Sequence, residues 1–281
     1  MINKDTILES GLYLISLPIG NSKDITLRAL DYLSNVDEIY CEDTRVTNKI
    51  LSIHKIKKEL KTYHDHNGSK IRPIILEKIK NGKSVGLVSD AGTPLISDPG
   101  YKLVSDAIAN NLYVTSAPGV SSPIAALTMS GLPTNNFLFL GFLPIKAQQR
   151  KNILKNIKNL KSTIIIFESA KRINKTLIEL KTILGNRRIA LCREMTKRFE
   201  EVVTGNLDEL TNTMAQKKIK GEIVLVLDGL QVNEETINLE KFINSQNQNY
   251  SPSELAKKIS EQTGFPKAKV YNKIISLKKD N

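Results

Sequence analysis

The run Ser84-Val85-Gly86-Leu87-Val88-Ser89, followed by Asp90-Ala91-Gly92-Thr93-Pro94-Leu95-Ile96-Ser97-Asp98-Pro99-Gly100, decides how the rest of the chain is read. Its first part is a short apolar run entered through the turn dipeptide Asn81-Gly82, the pattern of a strand buried in a sheet. Its second part is longer and richer in Gly, Pro and Asp than a plain strand-to-helix connector requires. Small residues and Gly92 let backbone amides come close to a ligand. Asp90 or Asp98 can accept hydrogen bonds from ribose hydroxyls or face a cation. In parallel α/β sheets ligands bind at the carboxyl ends of strands, where this loop lies.

Working outward, the same alternation recurs. Leu12–Leu17 reads as a strand with a helix near Thr26–Ser34 after it. Glu38–Cys41 is a short strand before a helix from Arg45 to Ile53, and Lys61–Tyr63 a third strand before a helix over Lys70–Asn81. A helix from Tyr101 to Asn110 and a strand at Leu112–Ser116 follow the quoted loop. Alternation of this kind needs crossover connections and predicts a mostly parallel sheet covered on both faces. Ala117-Pro118-Gly119 reads as a hinge. Past it come helix Ser121–Ser130, strand Phe137–Phe142, helix Lys146–Lys158, strand Ser162–Glu168, helix Ala170–Leu184, strand Arg188–Arg193, a helix near Leu207–Gln216 and strand Glu222–Asp228. The polar, Asn/Gln-rich stretch from Gly229 to Tyr250 reads as a linker. Ser251-Pro252-Ser253-Glu254 then carries a helix-start signature, with Ser251 as cap, Pro252 at the first helical position and Glu254 closing a capping box. A second short helix is expected after Gly264-Phe265-Pro266. The fold class is therefore α/β, with a first lobe over 1–117, a second over 118–229, and a linker plus small helical tail over 230–281.

The bulk numbers remove several classes of function. No apolar run reaches the length of a membrane span, and the start MINKDTILESG has no signal-peptide core, so neither a membrane partner nor export is expected. Cys41 and Cys192 are the only cysteines, too few for a disulfide framework or a four-cysteine zinc site, so a reducing, cytoplasmic setting is expected. The net charge of +12 is unevenly placed. Residues 1–141 hold 15 basic and 14 acidic side chains, 142–228 hold 18 and 9, and 229–281 hold 8 and 6. A uniform lysine bias would spread the excess. Concentration in the middle third is what a polyanion-binding surface requires, and it points to nucleic acid as partner.

Two more segments leave strands at the same sheet edge as the quoted loop. Pro18-Ile19-Gly20-Asn21 would give a crevice its second wall. Glu42-Asp43-Thr44-Arg45 offers Asp43 or Thr44 as a helix cap, and equally an acid pair beside Arg45 that can orient a polar nucleophile. Other patterns are decoys. Gly82-Lys83-Ser84 precedes a strand where a phosphate loop would open a helix, and Glu77 stands where that motif needs its first glycine. His64-Asp65-His66 lacks the further ligands of a metal site, so no metal is expected. No G-x-G-x-x-G occurs, which removes the usual dinucleotide fingerprint.

With these motifs in order, the chain resembles the small-subunit ribosomal RNA methyltransferases of the tetrapyrrole methylase superfamily. The resemblance is carried by LPIGNSKDITLRAL, CEDTRVTNKIL, YHDHN, GLVSDAGTPLISDPGY, SAPGVSSPIAAL, FLGFLP, FESAKRI, CREMTKRFEE and KGEIVLVLDG, collinear across nearly the whole chain. The tail also looks like the family's C-terminal extension. The resemblance implies two α/β lobes with S-adenosylmethionine in the cleft between them. It also implies 2′-O-methylation of a cytidine ribose in the decoding region of small-subunit (16S) rRNA, by a homodimer acting on rRNA or the assembled subunit. Carried over residue by residue, the cofactor contacts fall on Pro18, Gly20, Asp90, Ala91, Gly92 and Thr93, on Ser121 and Ser122, and on Gly221 and Glu222. This chain departs from the family pattern at Leu17, where Thr is usual, at Val46, where His is common, and at Ala170-Lys171, which replaces a Pro-His pair.

Methyl transfer from a sulfonium is an in-line displacement in which positioning supplies much of the acceleration. A ribose hydroxyl also benefits from a nearby base or from a cation facing the developing alkoxide. Glu42, Asp43, Arg45, Glu194 and Lys197 are the candidates. A porphyrinoid methylase of the same superfamily and a non-catalytic RNA-binding protein remain alternatives. The basic middle third argues against the first, and the intact Asp90–Gly100 loop against the second.

Overall fold

Buried strands in this chain are runs of aliphatic residues, and the loops between them carry the Gly, Pro and Asp. The structure is a computed structural model that describes residues 7–231, 239–244, 250–263 and 265–279. The first sheet contains β1 (Gly11–Ile15), β2 (Glu38–Cys41), β3 (Leu60–Thr62), β4 (Ser84–Leu87) and β5 (Val114–Ala117), in the order β3-β2-β4-β1-β5. Every pairing in it is parallel, so the carboxyl ends of all five strands share one edge. The third strand lies one residue earlier than Lys61–Tyr63.

The crossover helices are α1 (Leu27–Asn35), α2 (Thr44–Ile53), α3 (Gly68–Lys80) and α4 (Tyr101–Ala109). Side chains alternate across a strand. Tyr13 and Ile15 of β1 therefore join Ala29 and Leu33 of α1 and Leu51 of α2 in one buried cluster. Leu12 and Leu14 join Ile75 and Ile79 of α3 and Leu103 and Ala107 of α4 in another. Both faces of the sheet are covered, as the strand–helix alternation requires.

The second sheet contains β6 (Phe137–Phe142), β7 (Thr163–Ser169), β8 (Arg188–Arg193), β9 (Glu201–Asn206) and β10 (Glu222–Leu227), in the order β6-β7-β10-β8-β9. Only β6 and β7 are parallel; the remaining pairings are antiparallel. The sequence reading contains no strand at Glu201–Asn206, where Val202 and Val203 stand among polar residues at a half-buried sheet edge. That strand makes β8 and β9 antiparallel neighbours joined without a helix. Helix α5 (Ser122–Met129) packs Ala126 and Leu127 against Ile165 of β7 and Val224 and Val226 of β10. Helices α6 (Ala147–Asn156), α7 (Ile173–Leu184) and α8 (Leu207–Ala215) bury Leu154, Leu177, Leu180, Leu210 and Met214.

Both sheets belong to one compact unit, through Lys158 and again over Ser162–Asp228. A second unit holds Asn159–Lys161 and the residues from Gly229. Its helices are α9 (Leu239–Asn244), α10 (Pro252–Thr263) and α11 (Lys267–Lys279). Ile243, Leu255, Ala256, Ile259, Phe265, Val270 and Ile274 form its core. The cap is as read: Ser251 N donates to Glu254 Oε2 at 3.0 Å, and Glu254 N to Ser251 Oγ at 3.4 Å. Helix α9 corrects the reading of Gly229–Tyr250 as a linker. Leu239, Phe242 and Ile243, spaced as one helical face, pack into this core. Residues 232–238 and 245–249 of that stretch lie outside the described residues. Among the described residues no helix is long and apolar enough to cross a membrane.

Candidate functional site

Parallel pairing brings the loops after β1, β2, β4 and β5 to one edge, and the contacts between them are specific. Leu17 and Gly92 exchange backbone hydrogen bonds, Leu17 N to Gly92 O at 2.8 Å and Gly92 N to Leu17 O at 2.9 Å. Ser16 Oγ donates to Thr93 Oγ1 at 3.1 Å, and Thr93 Oγ1 donates to Val120 O at 2.9 Å, tying the first, fourth and fifth strand ends together. Asp90 Oδ1 accepts from Asp43 N at 3.0 Å, which adds the end of β2. Gly92 has φ of +74°, a left-handed conformation that disfavours side chains, and a Cβ there would lie 3.2 Å from Ile19 Cγ2. Pro18 is buried beside this junction, and Gly20 is exposed.

The second sheet meets that edge through two loops. Asn21 N donates to Thr196 Oγ1 at 3.1 Å. Ser97 Oγ faces the backbone of Gly141. Between the loops and β7–β10 lies a cavity of about 350 Å³. Ile19, Ala91, Ile96, Ser97 and Asp98 line it from the first lobe. Ser122, Phe142, Phe167, Glu168, Ser169, Ala170, Met195 and Gly221–Val224 line it from the second. Four non-glycine residues in these loops, Leu95, Ser97, Glu194 and Thr196, adopt left-handed backbone conformations. Strain of this kind gathers where a loop is held for function.

Electrostatically the two sides differ. Burial, with Glu42 next and Asp90 last, pushes the Asp98 carboxyl up to about 6, against an opposing hydrogen bond from Ser89. Burial and then Asp90 also raise Glu42. Asp43 is already committed: it caps α2 by accepting from Arg45 N at 2.9 Å, and its carboxylate takes Arg45 Nε at 3.0 Å and Nη2 at 2.6 Å. The hydrogen bonds from Arg45 hold it at about 2. On the opposite side Lys197 Nζ bridges Glu194 Oε1 at 3.0 Å and Glu222 Oε2 at 2.9 Å. Glu194 Oε1 also accepts from Glu222 N at 3.0 Å, which with Lys197 lowers its pKa. Burial works against the Lys197 ammonium, but its two carboxylate partners outweigh it and raise its pKa.

The sequence-derived residues thus fall into two groups. Glu42, Asp43, Arg45 and Asp90 are linked at the edge of the first sheet. Glu194, Lys197, Gly221 and Glu222 are linked on the second. No hydrogen bond or ion pair among the described residues joins Glu42, Asp43 or Arg45 to Glu194 or Lys197. Ala91, Ser122, Gly221 and Glu222 line the cavity directly, while Ser121 stands at the N-cap of α5. Residues that sequence reasoning passed over also line it: Phe142, Phe167, Met195 and Glu168. Glu168 is a fully buried carboxylate that accepts from Ser169 N at 2.7 Å and Thr176 Oγ1 at 2.5 Å and pairs with Arg172. Its signal was an acid ending the aliphatic run Ile164-Ile165-Ile166-Phe167. Among the described residues no cluster of His, Cys, Asp and Glu is arranged to hold a metal ion.

This two-lobed arrangement has counterparts. The model of the Tetrapyrrole (Corrin/Porphyrin) Methylases matches residues 11–211, well over half of the chain. The chain belongs to the tetrapyrrole methylase family. Among curated members, the Ribosomal RNA small subunit methyltransferase I of Rickettsia prowazekii is 52% identical over 238 residues, 84% of this chain and 85% of that protein. The protein of the same name from Mesorhizobium japonicum is 42% identical over 274 residues, 96% of this chain and 93% of that one. Solved tetrapyrrole-methylase-like structures share the fold. Diphthine synthase superposes with TM-score 0.62 at 17% identity, over 77% of this chain and 89% of that one. A uroporphyrin-III C-methyl transferase from Thermus thermophilus, complexed with S-adenyl homocysteine, gives 0.53 at 19%, over 78% and 97%.

Proposed function

We propose that the chain is an S-adenosylmethionine-dependent methyltransferase that modifies small-subunit ribosomal RNA, at the 2′-hydroxyl of a cytidine ribose in the decoding region. The observation that carries the RNA reading is where the uncompensated charge lies. Part of the second lobe's basic charge is spent internally: Arg150 pairs with Glu179, Arg172 with Glu168, Lys181 with Asp208 and Arg193 with Glu201. Lys146, Lys151, Lys155, Lys158, Lys171, Lys175 and Arg198 are exposed and have no ion pair among the described residues. Six of the seven lie on or within two residues of α6 and α7, and the segments leading into these helices carry the cavity residues Phe142, at the end of β6, and Ala170. A small-molecule methylase needs no such track, whereas a phosphate backbone does. The names carried by the relatives agree with small-subunit ribosomal RNA as the substrate.

The cavity suits the cofactor. Ile19, Phe167 and Val224 give an apolar wall for a nucleoside, and Asp98, with Asp90 and Glu42 nearby, sets negative charge toward a sulfonium. We assign its contacts to Pro18, Gly20, Asp90, Ala91, Gly92, Thr93, Ser121, Ser122, Gly221 and Glu222, with the lobes dividing at Ala117–Pro118. Bound S-adenosylmethionine supplies a methyl group activated by a positive sulfur. The protein's share is to hold the ribose oxygen in line and to manage its proton. Of the five candidates, Glu42 suits proton transfer, because it has no ion pair among the described residues and burial, then Asp90, raise its affinity for a proton. Asp43, bound to Arg45, is a poor base. Lys197 stays charged and suits the developing alkoxide.

The test is incubation with labelled S-adenosylmethionine and undermethylated small subunits or their naked rRNA. The expected outcome is label in alkali-resistant dinucleotides containing cytidine. Label on a base, or only on a porphyrinoid supplied in parallel, would sink the assignment.

A further inference from the structure

We infer that Phe142 is the aromatic platform on which the base of the target nucleotide stacks when its ribose enters the cavity. The inference rests on the rRNA reading above and deepens it. A lone exposed phenylalanine is ordinary. What surrounds this one is not.

Strand β6 runs beside β7 with Phe137, Leu138 and Phe139 opposite Thr163, Ile164 and Ile165, but Phe142 falls opposite Phe167. One extra residue is therefore accommodated in β6 around Leu140-Gly141. Gly141 takes φ of +62°, and a Cβ on it would sit 3.0 Å from Ser97 Oγ. Bulges of this kind re-aim side chains next to active sites. The result breaks the strand's alternation. Phe139 and Phe142, three residues apart, would face opposite sides of a regular strand. Here both meet the Phe167 ring edge to face, with centroids 4.9 and 5.3 Å apart. Phe139 packs against the core cluster, while Phe142 lines the cavity and remains 59% exposed.

The loop beneath the ring is fixed by charge. Arg172 Nη2 donates to Leu143 O at 2.9 Å. Arg150, only 3% exposed, donates to Pro144 O at 2.9 Å and Ile145 O at 3.0 Å. Three successive carbonyls after Phe142 are thus held by two guanidinium groups, each oriented by its own carboxylate, Glu168 and Glu179. Burying Arg150 beside Glu179, and the Glu168 carboxylate beside the part-exposed Arg172, costs desolvation that these pairs and their hydrogen bonds to the loop offset. A ring held in place this way loses little entropy when a base settles on it. Beyond the loop begins α6 with its exposed lysines. A stacking ring beside a track of free cations is the footprint of single-stranded nucleic acid, and a nucleotide drawn out of a folded RNA recovers on such a ring part of the stacking it leaves.

The chain has no tryptophan, so Phe142→Trp supplies a single fluorophore at this position. With S-adenosylmethionine already saturating the cavity that Phe142 lines, the fluorophore's emission is expected to be quenched further by undermethylated small-subunit rRNA. Phe142→Ala is expected to raise KM for that RNA roughly tenfold, within the about 5- to 150-fold that losing one stacked base brings, and to weaken cofactor binding by calorimetry less than that. No further quenching by RNA, an unchanged KM for RNA in Phe142→Ala, or a larger loss for the cofactor than for RNA would overturn the inference. If the parent enzyme labels no RNA at all, the functional reading fails first, and the two failures are told apart by that control.

Discussion

The two sheets of the larger unit differ in kind. The first is wholly parallel, with all its strand ends on one edge, and its residues are almost neutral in sum. The second is mostly antiparallel and carries the basic excess. A parallel sheet gathers many loops at one place, which suits enclosing a small ligand. An antiparallel sheet scatters its strand ends and leaves helices such as α6 and α7 free to present a charged outer face. We read the difference as a division of labour within one methylase fold.

The sharpest way to break that division is to reverse charge on the second lobe alone. The combined Lys151→Glu, Lys155→Glu and Lys175→Glu variant should bind small-subunit rRNA about 100-fold more weakly at low salt, with the slope of log affinity against log salt shallower by about three. Its cofactor affinity should stay that of the parent by calorimetry; a parallel loss of cofactor would merge the two roles.

Gly92→Val is the converse experiment. It forces a branched side chain into a left-handed position, and roughly 1–3 kcal/mol of strain should weaken cofactor binding about 5- to 150-fold. RNA retention on a filter should hardly change. Helix caps provide a smaller and symmetrical probe. Asp43→Ala in the first lobe and Asn206→Ala in the second, where Asn206 forms a capping box with Glu209, should each cost about 1 kcal/mol. A single shifted melting transition in both cases would mean the lobes unfold together, and two transitions would mean they do not.

The smallest effect concerns Asp98. Its folded pKa of about 6 lies above the ordinary 3.8, so ionising it costs the folded state stability. The penalty begins as pH rises past 3.8 and is complete above about 6. Asp98→Asn should therefore raise Tm by a degree or so at pH 8, on the order of what a partly buried acid contributes, and leave it unchanged near pH 3. An equal gain at both values would place the effect in packing.

The first lobe was legible because buried parallel strands are written as apolar runs bounded by turn residues. Glu38–Cys41 stands in the structure as read, and the other strands lie within one or two residues of the reading. Gly92 and Asp90 announced their loop for the same reason. The second lobe hid β9, because Glu201-Val202-Val203-Thr204-Gly205-Asn206 forms a half-buried edge and carries neither a clean alternation nor an apolar run. Helix α9 was masked by the Asn and Gln residues around its three apolar contacts. The cavity wall of Phe142, Phe167, Glu168 and Met195 was out of reach for a different reason. Sheet order brings these residues together, and no local pattern encodes sheet order.

The bulge at Leu140-Gly141 also constrains how this gene can vary. Deleting a single codon there would leave Phe139 and Phe142 two residues apart, which a regular strand keeps on one face, and would remove the left-handed kink of Gly141 beside Ser97. Both rings would still face Phe167, and what would be lost is the bend that the extra residue puts into the strand. The extra residue therefore sets where the strand bends and how closely Gly141 approaches Ser97, and a change of length there alters that approach without changing which way Phe142 looks.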